Sequence, residues 1–441
     1  MSLFREINLP SSTFLVIGNI LGVGIFVTSG EIAQRLGSSF WLIGVWGLGG
    51  LLALIGAICY SLLAIEAPKA GGEYALLYPA YGPLPAFLSG WASLLMGFSA
   101  PIAAAALGFG YYLEPFLPSG WLGNASTIKA VALVAVLLVS IFVSLGLRFG
   151  ARLHSLVTLL NVGLVLGFSI AVLGREAPAG NLGPILNRSW LEVEPTALGS
   201  AVILVMFSYS GWNAAVYIAE EIRSPRRNIP AALILGTLAV MAAYLLINLS
   251  YFDAVPLADL KGKEAVAEIT ALHAFGRGGA QFVNLLILSS MLSSLTAMSI
   301  AGPRVYFAMA RDRLFPHWLS HVNEKRKLPL KAIWFQSGVA LVLIAVASLY
   351  EILYYSGTIL LLFSTLTVSV VLRTSQGGRS PLRFWMLYRI LPLTFVITNG
   401  LVLLNAVVHH SGETLAGAVT VAAGVPVYLF YRRKDGSRSA G

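Results

Sequence analysis

The stretch GNILGVGIFVTSG, Gly18–Gly30, lies inside the first long apolar segment of the chain, where an asparagine and two glycines one residue apart weaken a helix. Glycine costs a helix interior about 1 kcal/mol relative to alanine. Within a bilayer, unwinding also exposes backbone N–H and C=O groups that lipid cannot satisfy. A break at this place therefore requires a polar partner, and a zwitterion fits. The N–H groups of Val23 and Gly24, at the start of an outer half-helix, suit a carboxylate, and the carbonyl of Ile20, ending the inner half, suits an ammonium. Close helix packing through small residues would explain the same glycines, so the motif does not decide alone.

The rest of the chain shows that this segment crosses a membrane. Of 441 residues, 57% are hydrophobic and only 11% charged, and the mean hydropathy is +0.81. Soluble domains carry about 25% charged residues. Apolar runs of roughly 20 residues, enough to cross the hydrocarbon core, recur from end to end. They predict an all-α membrane protein of about twelve transmembrane helices, at 13–34, 41–63, 84–112, 128–147, 154–173, 197–219, 230–252, 279–303, 332–350, 353–372, 385–408 and 414–430. The leader MSLFREINLP precedes a run without a small-residue cleavage site, which is read as a retained span.

The net charge of +10 resides in loops. With a cytoplasmic amino terminus, about 21 Lys and Arg face the cytoplasm and about 7 the outside, which orients the protein with both termini cytoplasmic in an inner (plasma) membrane. The basic clusters RSPRRN, RDRLFPHWLSHVNEKRKLPLK and YRRKDGSR are then topology signals against the lipid bilayer, with no nucleic-acid role. The single cysteine, Cys59, is mid-span and excludes an intramolecular disulfide. No metal site and no cofactor are expected, and an enzyme's constellation of paired carboxylates, clustered histidines or a Ser–Lys dyad is not visible.

A second break strengthens the first. MFSYSGWN, Met206–Asn213, sets Ser208, Ser210, Gly211 and Asn213 in the middle of the sixth apolar run. Paired interruptions at corresponding places indicate inverted repeats whose discontinuous helices meet near the midplane. A single transport domain follows: a cytoplasmic amino terminus 1–12, repeat one at 13–173, repeat two at 197–372, two peripheral helices at 385–430 and a cytoplasmic tail at 431–441.

GNILGVGIF, EAPKAGGEYALLYPAYG (Glu66–Gly82), FSYSGWNAAVYIAEEIRSPRRNIP (Phe207–Pro230) and AGPRVYFAMARDRLFP (Ala301–Pro316) together resemble amino acid permeases of the amino acid–polyamine–organocation superfamily, in particular the bacterial L-type amino acid transporters. The resemblance implies a five-plus-five inverted-repeat fold. It also implies a substrate site at Ile20, Gly22, Val23, Gly24, Phe207, Ser208, Ser210, Gly211 and Asn213. Val23 and Gly24 would give N–H groups to the carboxylate, the carbonyls of Ile20, Phe207 and Ser210 would take the ammonium, and Phe207 would cover it from outside.

Two residues depart from the pattern. Val23 stands where many relatives have serine, leaving main-chain donors only, and Asn161 aligns with a lysine that in many L-type relatives resembles a built-in replacement for sodium. Asn161 with Ser290 and Ser294 on the eighth span is therefore a candidate cation or gating site. Glu66, Glu114, Glu220, Glu221, Asp253, His154 and His410 lie at span ends and read as solvated caps and hinge contacts, with no acid near any span's centre. Without a visible counter-ion, a neutral L-amino acid is favoured, carried by alternating access in a sodium-independent exchanger or facilitator. A cation-coupled symporter is the alternative, with a channel or receptor behind it. No disulfide-linked heavy chain is expected.

Overall fold

A computed structural model describes residues 5–66, 68–118, 125–175, 193–263, 265–346, 349–373 and 385–439. The helices are α1 (Leu9–Ile20), α2 (Gly24–Leu36), α3 (Ser39–Glu66), α4 (Glu73–Tyr81), α5 (Pro83–Ala92), α6 (Ala100–Leu113), α7 (Ala125–Ser144), α8 (Leu147–Leu173) and α9 (Pro195–Ser208). They continue with α10 (Ala214–Tyr217), α11 (Pro225–Ala254), α12 (Leu257–Leu260), α13 (Val266–Ala301), α14 (Pro303–Arg311), α15 (Leu330–Val346), α16 (Leu349–Val371), α17 (Leu391–His409) and α18 (Ser411–Ser439). Among the described residues the one β-type pairing is an isolated bridge between Ile7 and Ile222.

Among the described residues, nine helical segments are long and apolar enough to cross a membrane, and α9, α15 and residues Tyr355–Val371 are shorter apolar helices. Large apolar side chains face outward in helical stripes, such as Val134, Leu137, Leu138 and Ile141 on α7 and Ile397, Leu401, Leu404 and Val408 on α17. Exposed apolar area on this scale suits lipid rather than water. Among the described residues, one large apolar cluster reaches from α1 to α18, with a small separate one at Ala70, Phe307 and Val322.

The first span breaks where its glycines predicted. Asn8 caps α1 by accepting from Ser11 N at 2.9 Å, Pro10 fits the first turn, and the helix stops at Ile20, to restart at Gly24. The sixth span is broken more severely. After Ser208 the chain turns through residues 209–213, and the second half is a single turn, α10, followed by a 3-10 turn at Ala219–Glu221. Both halves of the first span and both flanks of the sixth lie inside the bundle. α11 packs along α3 and α1, while α13 packs against α6, α8 and α1.

Several boundaries differ from expectation. The first helix starts at Leu9, inside the expected leader, and the third span runs Pro83–Leu113 through a π-helical stretch at Ser93–Ser99. The expected tail at 431–441 is helical as far as Ser439, because α18 carries its helix beyond the apolar run into the charged sequence. Residues 440–441 lie outside the described residues.

Candidate functional site

The two breaks meet. Asn19, in the last turn of α1, donates from Nδ2 to the carbonyl of Gly211 at 3.4 Å. Gly211 holds φ +98°, and a Cβ built on it would lie 2.9 Å from the backbone carbonyl of Asn19. Glycine is therefore demanded twice, by a positive φ and by contact with the opposite chain. The remaining acceptor of Asn19, Oδ1, is buried without a partner.

Tyr244 of α11 ties the same ends from the side. Its hydroxyl lies 2.7 Å from the carbonyl of Ile20 and 3.2 Å from that of Ser208, one on each broken span. The Ile20 carbonyl also accepts from Gly22 N at 2.8 Å. Both of its lone pairs are engaged here, so an ammonium would reach it only by displacing a partner. Beyond the break, α2 makes its first i→i−4 bond from Val27 to Val23 at 3.2 Å. As in any first turn, the N–H groups of Val23, Gly24 and Ile25 have no intrahelical acceptor, and all three residues are buried.

A cavity of about 50 Å³ adjoins the crossing, lined in part by Asn19, Glu73, Ser210, Gly211, Asn213 and Ser364. Its size admits a water or two rather than an amino acid. Ser210, Gly211 and Asn213 line it directly. Ile20, Gly22, Val23, Gly24, Phe207 and Ser208 stand behind it in the packed crossing. Ser208 bonds Thr28 at 3.0 Å, and a Cβ at Gly24 would meet the Cα of Ser208 at 2.7 Å, so these residues join α2 to α9. Phe207 is 5% exposed.

Glu73 is the residue that sequence analysis missed. It is 5% exposed and accepts from Tyr60 Oη at 3.0 Å, from Asn213 Nδ2 at 2.5 Å and from the hydroxyl of Tyr217. Burial pushes its carboxyl above the ordinary value of 4.5, opposed by these hydrogen bonds. No counter-ion is visible at the site from the sequence, and the structure brings this carboxyl to the cavity from outside the spans. Glu73 lies in a loop segment outside the apolar runs, and the fold turns α4 inward beside α10. Its signal was the GGEY of Gly71–Tyr74, where glycines precede an acid and Gly72 (φ +58°) permits the turn against Tyr217.

Glu221 and His154 also depart from the solvated-cap expectation. Glu221 is fully buried and pairs bidentately with Arg304 at 2.8 and 3.0 Å. His154 is 3% exposed between α1 and α13, beside Gly18 and Thr158. Glu220 pairs with Arg311 at 2.9 and 3.0 Å and accepts from Ala70 N at 3.2 Å. Together with Tyr74 bonding Asp312 at 2.7 Å, these contacts gather three separate motifs at one end of the bundle.

Asn161 is fully buried, but its Oδ1 accepts from Ser289 at 2.7 Å, not from Ser290 or Ser294. Ser293 bonds Thr158 at 2.8 Å, so this serine face turns to α8. Ser294 turns toward Gly22, and Ser290 Oγ and Asn161 Nδ2 are buried without partners. The predicted trio therefore does not converge on one point.

A family model described as amino acid permease matches residues 7–425. The chain belongs to the amino acid permease family. The permease is 28% identical over 435 residues to the human b(0,+)-type amino acid transporter 1, covering 98% of this chain and 88% of the relative. It is 27% identical over 441 residues to the serine/threonine exchanger SteT of Bacillus subtilis (strain 168), covering 98% of each. The human large neutral amino acids transporter small subunit 2 matches at 26% over 436 residues, 97% of this permease and 81% of the relative. The permease is a transporter, not an enzyme, and its one cysteine, Cys59, is fully buried in α3.

Proposed function

We propose that this permease exchanges neutral L-amino acids across the membrane by alternating access, independently of sodium. The observation that carries the proposal is the Asn19–Gly211 contact between two broken spans beside a small cavity. Main-chain N–H groups at Val23, Gly24 and Ile25 would take the substrate carboxylate. The orphan Asn19 Oδ1 and the carbonyl of Ser210 would take its ammonium, with Phe207 covering it. Neutral substrates fit because the one acid lining the cavity already accepts from three donors. Relatives named for serine and threonine exchange and for large neutral amino acids support the same class.

The same breaks support a twelve-span, inverted-repeat layout with α17 and α18 peripheral, and the lysine and arginine bias supports both termini on the cytoplasmic side. Sodium independence is supported by the donor set near Asn161, whose carbonyl oxygen is taken by Ser289. Counterflow in proteoliposomes, with purified protein and a panel of radiolabelled amino acids with and without sodium, tests the proposal. Uptake of neutral amino acids equal in both salts, dependent on internal amino acid, is expected. No substrate carried or displaced, or uptake only with sodium, overturns it.

A further inference from the structure

Glu73 joins more elements at the cavity than any other ionisable residue lining it. Its three donors come from α3, from the break of the sixth span and from α10, and none of them is a cation. Tyr217 Oη also accepts from Asn213 Nδ2 at 3.3 Å, and Gly71 N donates to the carbonyl of Tyr217 at 3.2 Å. The one-turn half-helix α10 is thus fastened to the start of α4 through this carboxyl and to the loop before it through the Gly71–Tyr217 main-chain bond.

The charged groups nearby are otherwise engaged. Arg304 and Arg311, on α14, pair with Glu221 and Glu220, and Asp312 accepts from Tyr74. Tyr74 and Tyr78 follow Glu73 on its own helix, and Glu66 and Lys69 precede it. Neither α5 nor the described side chains of α16 bring a charge to it. Protonating Glu73 reverses the Tyr217 bond: Oε2–H donates to Tyr217 Oη in place of the hydroxyl donating to Oε2, while Oε1 keeps accepting from Tyr60 and Asn213. An ionised Glu73 leaves a buried anion without a cation, a cost that water entering the cavity relieves.

We propose that Glu73 is a positioning residue that gates the cavity: protonated, it holds α10 closed, and giving its proton to cytoplasmic water opens the inner path. This rests on the cavity being the substrate route. The sign follows from linkage. A carboxyl that binds its proton more tightly when buried than when hydrated favours the closed form at low pH and the open form as pH rises.

The test places a cysteine in the cavity, Ser364→Cys in a Cys59→Ser background. Maleimide labelling is followed from about pH 5.5 to about pH 8 and normalised to glutathione under the same conditions. Normalised labelling is expected to rise several-fold with pH and to become flat and low with Glu73→Gln added, since the amide stays neutral. A flat profile without the Glu73 substitution, or a slope that survives it, overturns the proposal. Should Glu73→Gln not fold, infrared difference spectra of the unsubstituted protein serve instead. A protonated-carboxyl band must disappear with the labelling midpoint, and a labelling transition without that loss overturns the assignment. Amino acid binding at one fixed pH separates the two claims: absent binding with an intact labelling slope removes the transport proposal and leaves the gate.

Discussion

Asn19 Nδ2 lies 3.4 Å from the carbonyl of Gly211, joining the last turn of α1 to the break of the sixth span, while its Oδ1 stays unpartnered beside the cavity. One side chain thus both fastens the crossing and offers an acceptor to a ligand. Asn19→Ala removes both, and with a net hydrogen bond at about 1 kcal/mol the expected loss of amino acid affinity is about five- to tenfold. Equilibrium binding of labelled substrate measures it, and an unchanged Kd would remove Asn19 from the site.

Gly24→Ala should be severe although it adds one methyl. The new Cβ would lie 2.7 Å from the Cα and Oγ of Ser208, so backbone must move. A loss of about 1–3 kcal/mol in stability is expected from such overpacking, together with lost exchange. Thermal unfolding and substrate binding on the same sample decide the cause. Lost binding at an unchanged unfolding midpoint would mean that Gly24 serves the carboxylate alone.

Arg304 and Glu221 form a buried pair at 0% and 1% side-chain exposure. Removing one partner strands the other charge, at about 3–5 kcal/mol, whereas replacing both with apolar residues is far milder. Arg304→Met and Glu221→Leu singly should unfold at clearly lower temperature than the double variant. Equal midpoints in singles and double would show that the pair carries no coupling.

Tyr244→Phe deletes the hydroxyl shared by the Ile20 and Ser208 carbonyls. Because it touches the two spans and not the cavity, maximal exchange should fall several-fold while KM stays within about twofold. Counterflow kinetics give both numbers. A changed KM at constant maximal rate would make Tyr244 a substrate contact.

The legible part of the site was the part written in local chain chemistry. Gly22, Gly24 and Gly211 inside apolar runs announced two breaks, since glycine in a membrane helix leaves backbone groups without partners. The same logic overlooked Tyr244, an ordinary tyrosine in an apolar helix that gave no signal of its own. It also passed over Glu73, an acid between apolar runs that reaches the cavity only because the fold turns its helix inward.

By itself, the sequence determined that the chain crosses a membrane many times, that its first and sixth apolar segments are interrupted, and that it belongs among amino acid permeases. Those properties depend on hydropathy, glycine placement and motif order, which neighbouring residues carry. Only the tertiary structure decided that Asn19 meets Gly211, that Ser289 rather than Ser290 holds Asn161, and that Glu73 and Glu221 are buried. Such facts depend on helix rotation and depth across pairs far apart in the chain, and a rotation of one residue, about 100°, exchanges a buried partner for a lipid-facing one.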